Sequence, residues 1–320
     1  MKKLLGKQGV YMVLIAVVIF IFILFLSLLP LELDVGAAKT VTDYRYHFLI
    51  DTGQPAEYFS SEFVAGAKAA AEENDVLIEV AGMNSALDSG DEGLLSKGIF
   101  ERVDGIIYTG RSVDTYEREL LTTSDCVVLC VNNECNIDGI SYVGPDNEKQ
   151  GEEIIQTLDT RGKDSYNIVV MINAVEKELG NLRYEGMLKA LKERSEINVL
   201  ETIYVSSNVL DAMDQAQKSI LAHPDIDCFI GTDETILTGI TRGVVDLNRV
   251  PEIAIAGAGI GADVERYIGK GIIRFSLDPL PYEIGYEAVL QLCRQQDRKE
   301  RMPRNIYTDY LVRKAPELEP

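Results

Sequence analysis

"ISYVGPDNEKQGEEI", Ile140 to Ile154, sets Gly-Pro-Asp-Asn between a strand-like run and a helix-like one, near the middle of a 320-residue chain. Proline fixes its own φ and drives the residue before it out of helix, so the segment reads as a crossover with Pro145 as its hinge. On both sides the chain alternates short β-branched runs with amphipathic stretches. The strand-like runs start at Tyr44 (YRYHFLI), Val76 (VLIEV), Gly105 (GIIYTG), Cys126 (CVVLCV), Asn167 (NIVVMI), Val199 (VLETIYV), Cys228 (CFIGT), Glu252 (EIAIAG), Gly271 (GIIRFSL) and Tyr307 (YTDYLV). Most are near-continuously apolar, as parallel strands covered on both faces must be. The stretches between them, such as "SSEFVAGAKAAAEEN", put Phe63, Ala67 and Ala70 on one face and Glu62, Lys68 and Glu72 on the other, the pattern of surface helices. The fold class is therefore α/β, doubly wound. About ten strands exceed one small open sheet, which predicts two lobes.

The composition, 46% hydrophobic, supports sizeable buried cores, and a formal charge of -20 from 51 acids against 31 bases repels phosphate backbones. Nucleic acid is excluded as a partner on that ground. Lys2, Lys3 and Lys7 precede Gly9 to Leu31, 23 residues without a charge. Roughly 20 apolar residues cross a bilayer as a helix, and positive residues stay inside. Residues 1–9 are expected in the cytoplasm, 10–31 as one transmembrane helix, 32–43 as a linker and the rest outside the cell membrane. "VGAAK" at Val35 to Lys39 leaves cleavage and secretion as the alternative. The five cysteines, Cys126, Cys130, Cys135, Cys228 and Cys293, form no C-x-x-C pair, and neither His47 nor His223 has metal-ligand spacing to them, so they read as small buried side chains without a metal.

From Tyr44 to Lys314 the chain resembles the type I periplasmic binding proteins, the fold of ribose- and galactose-binding proteins and of the ligand-sensing part of lac-repressor-type regulators. The resemblance rests on motifs in order: "FVAGAKAAAEEN", "RVDGIIYTG", "YVGPDNEKQGE", "NLRYEGMLKAL", "AHPDIDCFIGTDETILTGI" and "PYEIGYEAVLQL". It implies two parallel-sheet lobes joined by three hinge crossings, residues 44–145 plus 279–308 and residues 146–278 plus 309–316. It also implies a ligand held in the cleft between them. Helix N-termini and loops at the carboxyl ends of parallel strands supply polar groups there.

Carried over position by position, the resemblance offers Asp51, Glu57, Tyr58 and Phe59 after the first strand, where a polar residue and stacking aromatics are common, and Phe59 at a helix start equally suits a staple packed in the core. Asn132 and Asn133 follow the fourth strand, and as Asn-Asn they also suit a turn. Arg183, three residues before Gly186, stands at the cleft arginine. As a ligand contact there, Arg183→Ala is expected to leave the melting temperature near wild type and to abolish stabilisation by ligand. Thr232 and Asp233 fall at the Asn-Asp turn, where Asp233 also suits a helix cap. Asp278 lies at the third crossing, and Arg111 and Tyr282 are rim candidates.

"GAGIGAD", Gly257 to Asp263, satisfies G-x-G-x-x-A with Asp278 following at ribose-contact separation, so an extracellular NAD-linked or hydrolytic enzyme is the competing function. No catalytic constellation or G-x-S-x-G elbow accompanies it. Under the resemblance Gly259 replaces a sugar-gripping Asp, which argues against an ordinary pentose or hexose and predicts room for a bulkier ligand. A DNA-binding regulator is excluded by the apolar span in place of a headpiece. The sequence thus implies a non-enzymatic solute receptor without cofactor, taking a small polar, sugar-like ligand and serving a transport permease (ABC type) or a membrane sensor kinase.

Overall fold

In the computed structural model of the protein, the structure describes residues 43–51, 57–81, 98–109, 126–134, 137–178, 181–206, 208–299 and 301–316, with residues 17, 18, 20, 40, 118, 119 and 123. Residues up to Asp43 form one compact unit and Tyr44 onward a second. The expected transmembrane helix lies outside the described residues except at Val17, Val18 and Phe20, which are helical and exposed. Among the described residues no helix is long and apolar enough to cross a membrane.

The second unit holds two six-stranded sheets. The first takes β1 (Tyr46–Asp51), β2 (Val76–Ala81), β3 (Gly105–Tyr108), β4 (Val127–Val131), β5 (Ser141–Gly144) and β11 (Asn305–Tyr307), in the order β11-β5-β4-β3-β1-β2. All its pairings are parallel. The second takes β6 (Tyr166–Asn173), β7 (Ile197–Val205), β8 (Cys228–Gly231), β9 (Ala254–Ala258), β10 (Phe275–Asp278) and β12 (Leu311–Lys314), in the order β12-β10-β9-β8-β6-β7. It is parallel except that β12 runs antiparallel to β10.

The apolar runs serve two faces. Phe48 and Ile50 of β1 join one core and Leu49 between them joins another. Val169 and Met171 of β6 divide from Ile168, Val170 and Ile172 in the same way. Alternating side chains on a strand point to opposite faces, so a sheet covered on both sides has no polar position to spare. Cys130, Cys228 and Cys293 are buried, Cys126 packs against the core cluster that contains Cys130, and all four are free thiols. Burial pushes the Cys126 and Cys228 thiols up to about 12 and Cys293 to about 11. Cys135 lies outside the described residues.

Two of the expected runs are divided differently. "YTDYLV" is broken at residues 308–310, because Tyr307 ends β11 in one sheet and Leu311 opens β12 in the other. "GIIRFSL" begins with a turn held by the Ile272 and Ile273 N–H groups on Tyr267 O (3.0 and 3.3 Å), and its strand starts at Phe275.

The covering helices include α1 (Glu57–Asn74), α2 (Asn147–Thr157), α3 (Ala174–Glu178), α4 (Leu182–Leu191), α5 (Val209–Ala222), α6 (Glu234–Asp246), α7 (Ala262–Gly269) and α8 (Pro281–Arg298). Side chains of α8 join the first-sheet core and those of α2 a second-sheet core. The chain therefore changes sheets three times: between β5 and α2, between β10 and α8, and between β11 and β12. Each lobe locks one helix pair by reciprocal glycines. A Cβ on Gly151 of α2 would fall 1.9 Å from Arg183 O, and one on Gly186 of α4 would fall 1.9 Å from Glu148 O. Gly66 of α1 and Gly285 of α8 do the same against Tyr282 O (1.9 Å) and Phe63 O (2.0 Å). Backbone so close leaves no space for a methyl group, and forced overpacking costs about 1–3 kcal/mol. Gly186→Ala and Gly285→Ala should each lower the unfolding free energy by about that much or more, read in denaturant titration. An unchanged midpoint in either would disprove the interlock.

Candidate functional site

Asp51, Asn132, Thr232, Asp233 and Asp278 sit at or just after the carboxyl ends of strands, Arg183 lies on a helix, and several of them are joined in one network. Asn181, in the left-handed region at φ 59°, turns the chain into α4 and places Arg183 in its first turn, 7% exposed. Its Nη1 donates to Glu176 Oε1 (2.7 Å) on α3 and to Thr232 O (2.8 Å) after β8. Nη2 donates to Asn147 Oδ1 (2.6 Å) at the start of α2, and Nε to Gln150 Oε1 (3.3 Å) one turn on. At the end of β6 the Asn173 backbone N–H donates to Thr232 Oγ1 (3.0 Å), and Asn173 Nδ2 donates to Asp233 Oδ2 (2.6 Å). Asp233 Oδ1 accepts from Ile236 N (2.8 Å), the cap of α6.

The first lobe reaches this network at the crossing. Asn132 follows β4 with φ at 68°, and the Asn133 N–H donates back to Val131 O (2.8 Å), so Asn-Asn is a turn. The Asn132 carbonyl accepts from Asn147 Nδ2 (3.4 Å) and lies 3.2 Å from the Tyr142 hydroxyl. That hydroxyl donates to Pro145 O (2.8 Å) and accepts from Asn147 Nδ2 (3.2 Å). A Cβ on Gly144 would fall 2.4 Å from it, so glycine before Pro145 makes room for the tyrosine. The bonds run from the end of β4 in one lobe, through Asn147 and Arg183, to the end of β8 in the other.

Arg183, Thr232, Asp233 and Asn132 thus come together. Asp51 is buried at the end of β1, beside Tyr108 of β3 in register. Phe59 is decided between its two readings, and three expectations change. Phe59 is 7% exposed and stacks on Phe63 (centroids 5.9 Å apart) inside the first-lobe core, so it is a packing residue. Asp278 is committed to the fold, since Oδ2 accepts from Arg313 Nε (3.1 Å) and Nη2 (2.9 Å) of β12, and Oδ1 accepts from Leu280 N (2.9 Å). Gly259 leaves no room for a ligand: at φ 99° its Cβ position lies 2.3 Å from Glu234 N and 2.8 Å from Asp233 C. Arg183 is built into the lobe rather than displayed on it. The side chains of Glu57 and Tyr58, and Arg111, lie outside the described residues, and Tyr282 is exposed.

The same glycines answer the nucleotide reading. A pyrophosphate needs open backbone at the turn and at the helix N-terminus. Here a Cβ on Gly261, the residue before α7, would fall 1.8 Å from Glu234 Oε1, so a carboxylate already occupies that end. Among the described residues no cluster of His, Cys, Asp or Glu could hold a metal.

Asn147, Gln150, Asn173, Glu176 and Tyr142 carry the network and were not singled out from sequence. Asn173 bore the same signal as Asn132, a polar residue closing an apolar strand. Nothing in "AVEKE" marks Glu176, whose carboxyl burial pushes up against the pull of Arg183. Burial likewise raises Asp233, against its bonds from Ile236 N and Asn173. Beside the crossing, burial and then repulsion from Asp146 lift Glu134 from 4.5 to about 7.

The profile of the Periplasmic binding protein domain matches residues 48–300, and the chain belongs to that family. The structure superposes on a glucose-galactose binding protein, GanP of Geobacillus stearothermophilus, with a TM-score of 0.77 at 25% identity, covering 85% of this chain and 98% of that one. A periplasmic solute binding protein of an ABC transporter from Actinobacillus succinogenes, bound to D-allose, gives 0.72 at 19% identity, covering 84% and 97%. The XylFII-LytSN complex gives 0.72 at 20% identity, covering 83% and 97%. The chain thus has the type I periplasmic binding fold. Comparison with curated proteins finds no match.

Removing one member of a buried ion pair strands the other, at about 3–5 kcal/mol. Arg183→Ala should lose roughly that much unfolding free energy, against the sequence expectation, and adding Glu176→Gln should recover part of it. An unchanged denaturation midpoint for Arg183→Ala would refute the buried pair. For Glu134 the folded value lies above the unfolded one, so protonation favours the native state. Its contribution is full below pH 4.5 and lost as pH rises toward about 7, where the native state binds more protons than the unfolded. Between those limits stability should fall less steeply with pH in Glu134→Gln than in wild type, and equal slopes would refute the shift.

Proposed function

We propose that the protein is a membrane-anchored extracytoplasmic solute-binding protein, without enzymatic activity, that closes its two lobes on a small polar ligand, a sugar or a sugar-like molecule. The observation that carries this reading is the network from Asn132 to Thr232. It brings the carboxyl ends of β4 and β8, one from each lobe, to either side of a single crossing. Parallel sheets bind ligands at those ends, and rotation about the crossings encloses what is bound. GanP is a glucose-galactose binding protein and the Actinobacillus protein holds D-allose, which supports a sugar-like ligand.

Asp51 and Asn133 are the side chains proposed to face it, beside the Asn173–Asp233 pair, with Arg183 fixing the turn after β8 through Thr232 O. Neutral amides and buried carboxylates together suit hydroxyl groups, each of which donates and accepts. Residues 10–31 are proposed as the anchor, with the binding domain outside. A membrane sensor is the favoured partner over a permease. An anchored receptor suits that role, and a structure of the same fold occurs in complex with LytSN.

Calorimetric titration of the full-length chain in detergent against D-galactose, D-glucose, D-allose, nucleosides, polyols, amino acids and NAD should give saturable binding to at least one sugar or polyol and none to NAD. Binding of NAD alone, or of none of the panel, would overturn the reading.

A further inference from the structure

The crossing at Pro145 carries one side chain bonded to both lobes at once. Asn147 is the first residue of α2 and 4% exposed. Its amide oxygen accepts from Arg183 Nη2 in the second lobe (2.6 Å), and its amide nitrogen donates to Tyr142 Oη (3.2 Å) and Asn132 O (3.4 Å) in the first. The two ends are chemically fixed. A guanidinium only donates and a backbone carbonyl only accepts, so a reversed amide would face donor to donor and acceptor to acceptor. Tyr142 is equally constrained, 2% exposed, with its hydroxyl donating to Pro145 O (2.8 Å) over the space left by Gly144.

From this we infer that Asn147 is a positioning residue that ties the cleft arginine to the fulcrum, so that the setting of Arg183 and the angle between the lobes form one equilibrium. Rotation about residues 145–146 moves α2 against β4 and β5. The amide must then either release Asn132 and Tyr142 or draw Arg183 with it, and Arg183 holds Thr232 and Glu176 at the end of β8 and on α3. A contact made at the ligand end of that chain therefore reaches the hinge through three bonded groups without passing through the ligand. The inference takes its functional meaning from the cleft reading above but is tested without any ligand.

The full-length protein would carry spin labels at Lys68 of α1 and Lys218 of α5, both exposed, and the interlobe distance distribution would be measured for wild type, Asn147→Asp and Tyr142→Phe. Asn147→Asp keeps an acceptor for Arg183 and removes both donors to the first lobe. Tyr142→Phe removes the acceptor on the other side together with the bond to Pro145 O. Loss of a hydrogen bond on the lobe-1 side should change the ratio of populations in each variant by roughly fivefold, and the double variant should change it no more than the larger single one. Distributions superimposable on wild type in the folded variants would overturn the inference, as would additive shifts in the double variant. So would a lowered unfolding midpoint with unmoved distances, because that is the mark of a packing role alone. Tyr142→Phe keeps the test open if Asn147→Asp fails to fold.

Discussion

A guanidinium cannot shed its charge, so a buried arginine must find acceptors for its donors or the fold around it fails. Arg183 finds four, and they come from three elements: α2 twice, α3 through Glu176, and the turn after β8. That requirement explains several otherwise unrelated choices in the sequence. Asn181 takes a left-handed conformation to aim the first turn of α4, and Gly151 and Gly186 let α2 and α4 approach until the Arg183 carbonyl lies where a methyl would be. The floor of the second lobe is a polar core that cannot be loosened at one point without unpairing another. Such networks are costly when half satisfied and specify a single arrangement when complete.

The glycine loop after β9 shows how one sequence pattern serves two physical ends. In a dinucleotide fold, glycines clear space for a phosphate. Here they clear space for protein: Gly257 admits Gly231 O at 1.9 Å from its Cβ position, and Gly259 and Gly261 admit the backbone and carboxylate of Glu234. The loop is pressed onto the β8–α6 turn, which in turn supplies Thr232 and Asp233 to the network. Its contribution to binding is to hold that turn in place.

The architecture was legible because it depends on periodicity and on glycine and proline. Continuous apolar runs announced two-faced sheets, and the crossover at Pro145 stood out as a Gly-Pro break between a strand and a helix. The site was legible only in part. Asn132, Thr232 and Asp233 could be placed at strand ends and Arg183 at a helix start, but whether a side chain meets a ligand or a neighbour depends on partners far away in sequence. Asp278 meets Arg313, 35 positions on, and Phe59 turns inward to Phe63 because the helix periodicity carries it there. Gly259 was read as an opening because sequence gives a missing side chain but not what fills its place. The split of "YTDYLV" between two sheets was hidden for the same reason, since Thr308 N still bonds Gly144 O (2.9 Å) while Ala315 N bonds Arg274 O (2.8 Å).

The route of the chain also sets an order of assembly. The first sheet lacks its edge β11 and its covering helix α8, and the second lacks β12 with the Arg313–Asp278 clasp, until residues 281–314 have left the ribosome. Neither lobe can be completed as an N-terminal unit while the rest is still being made, although the first lobe's opening strand begins at Tyr46. Both would close late and nearly together. A receptor whose two halves must later move against each other is thereby finished only when both halves are present.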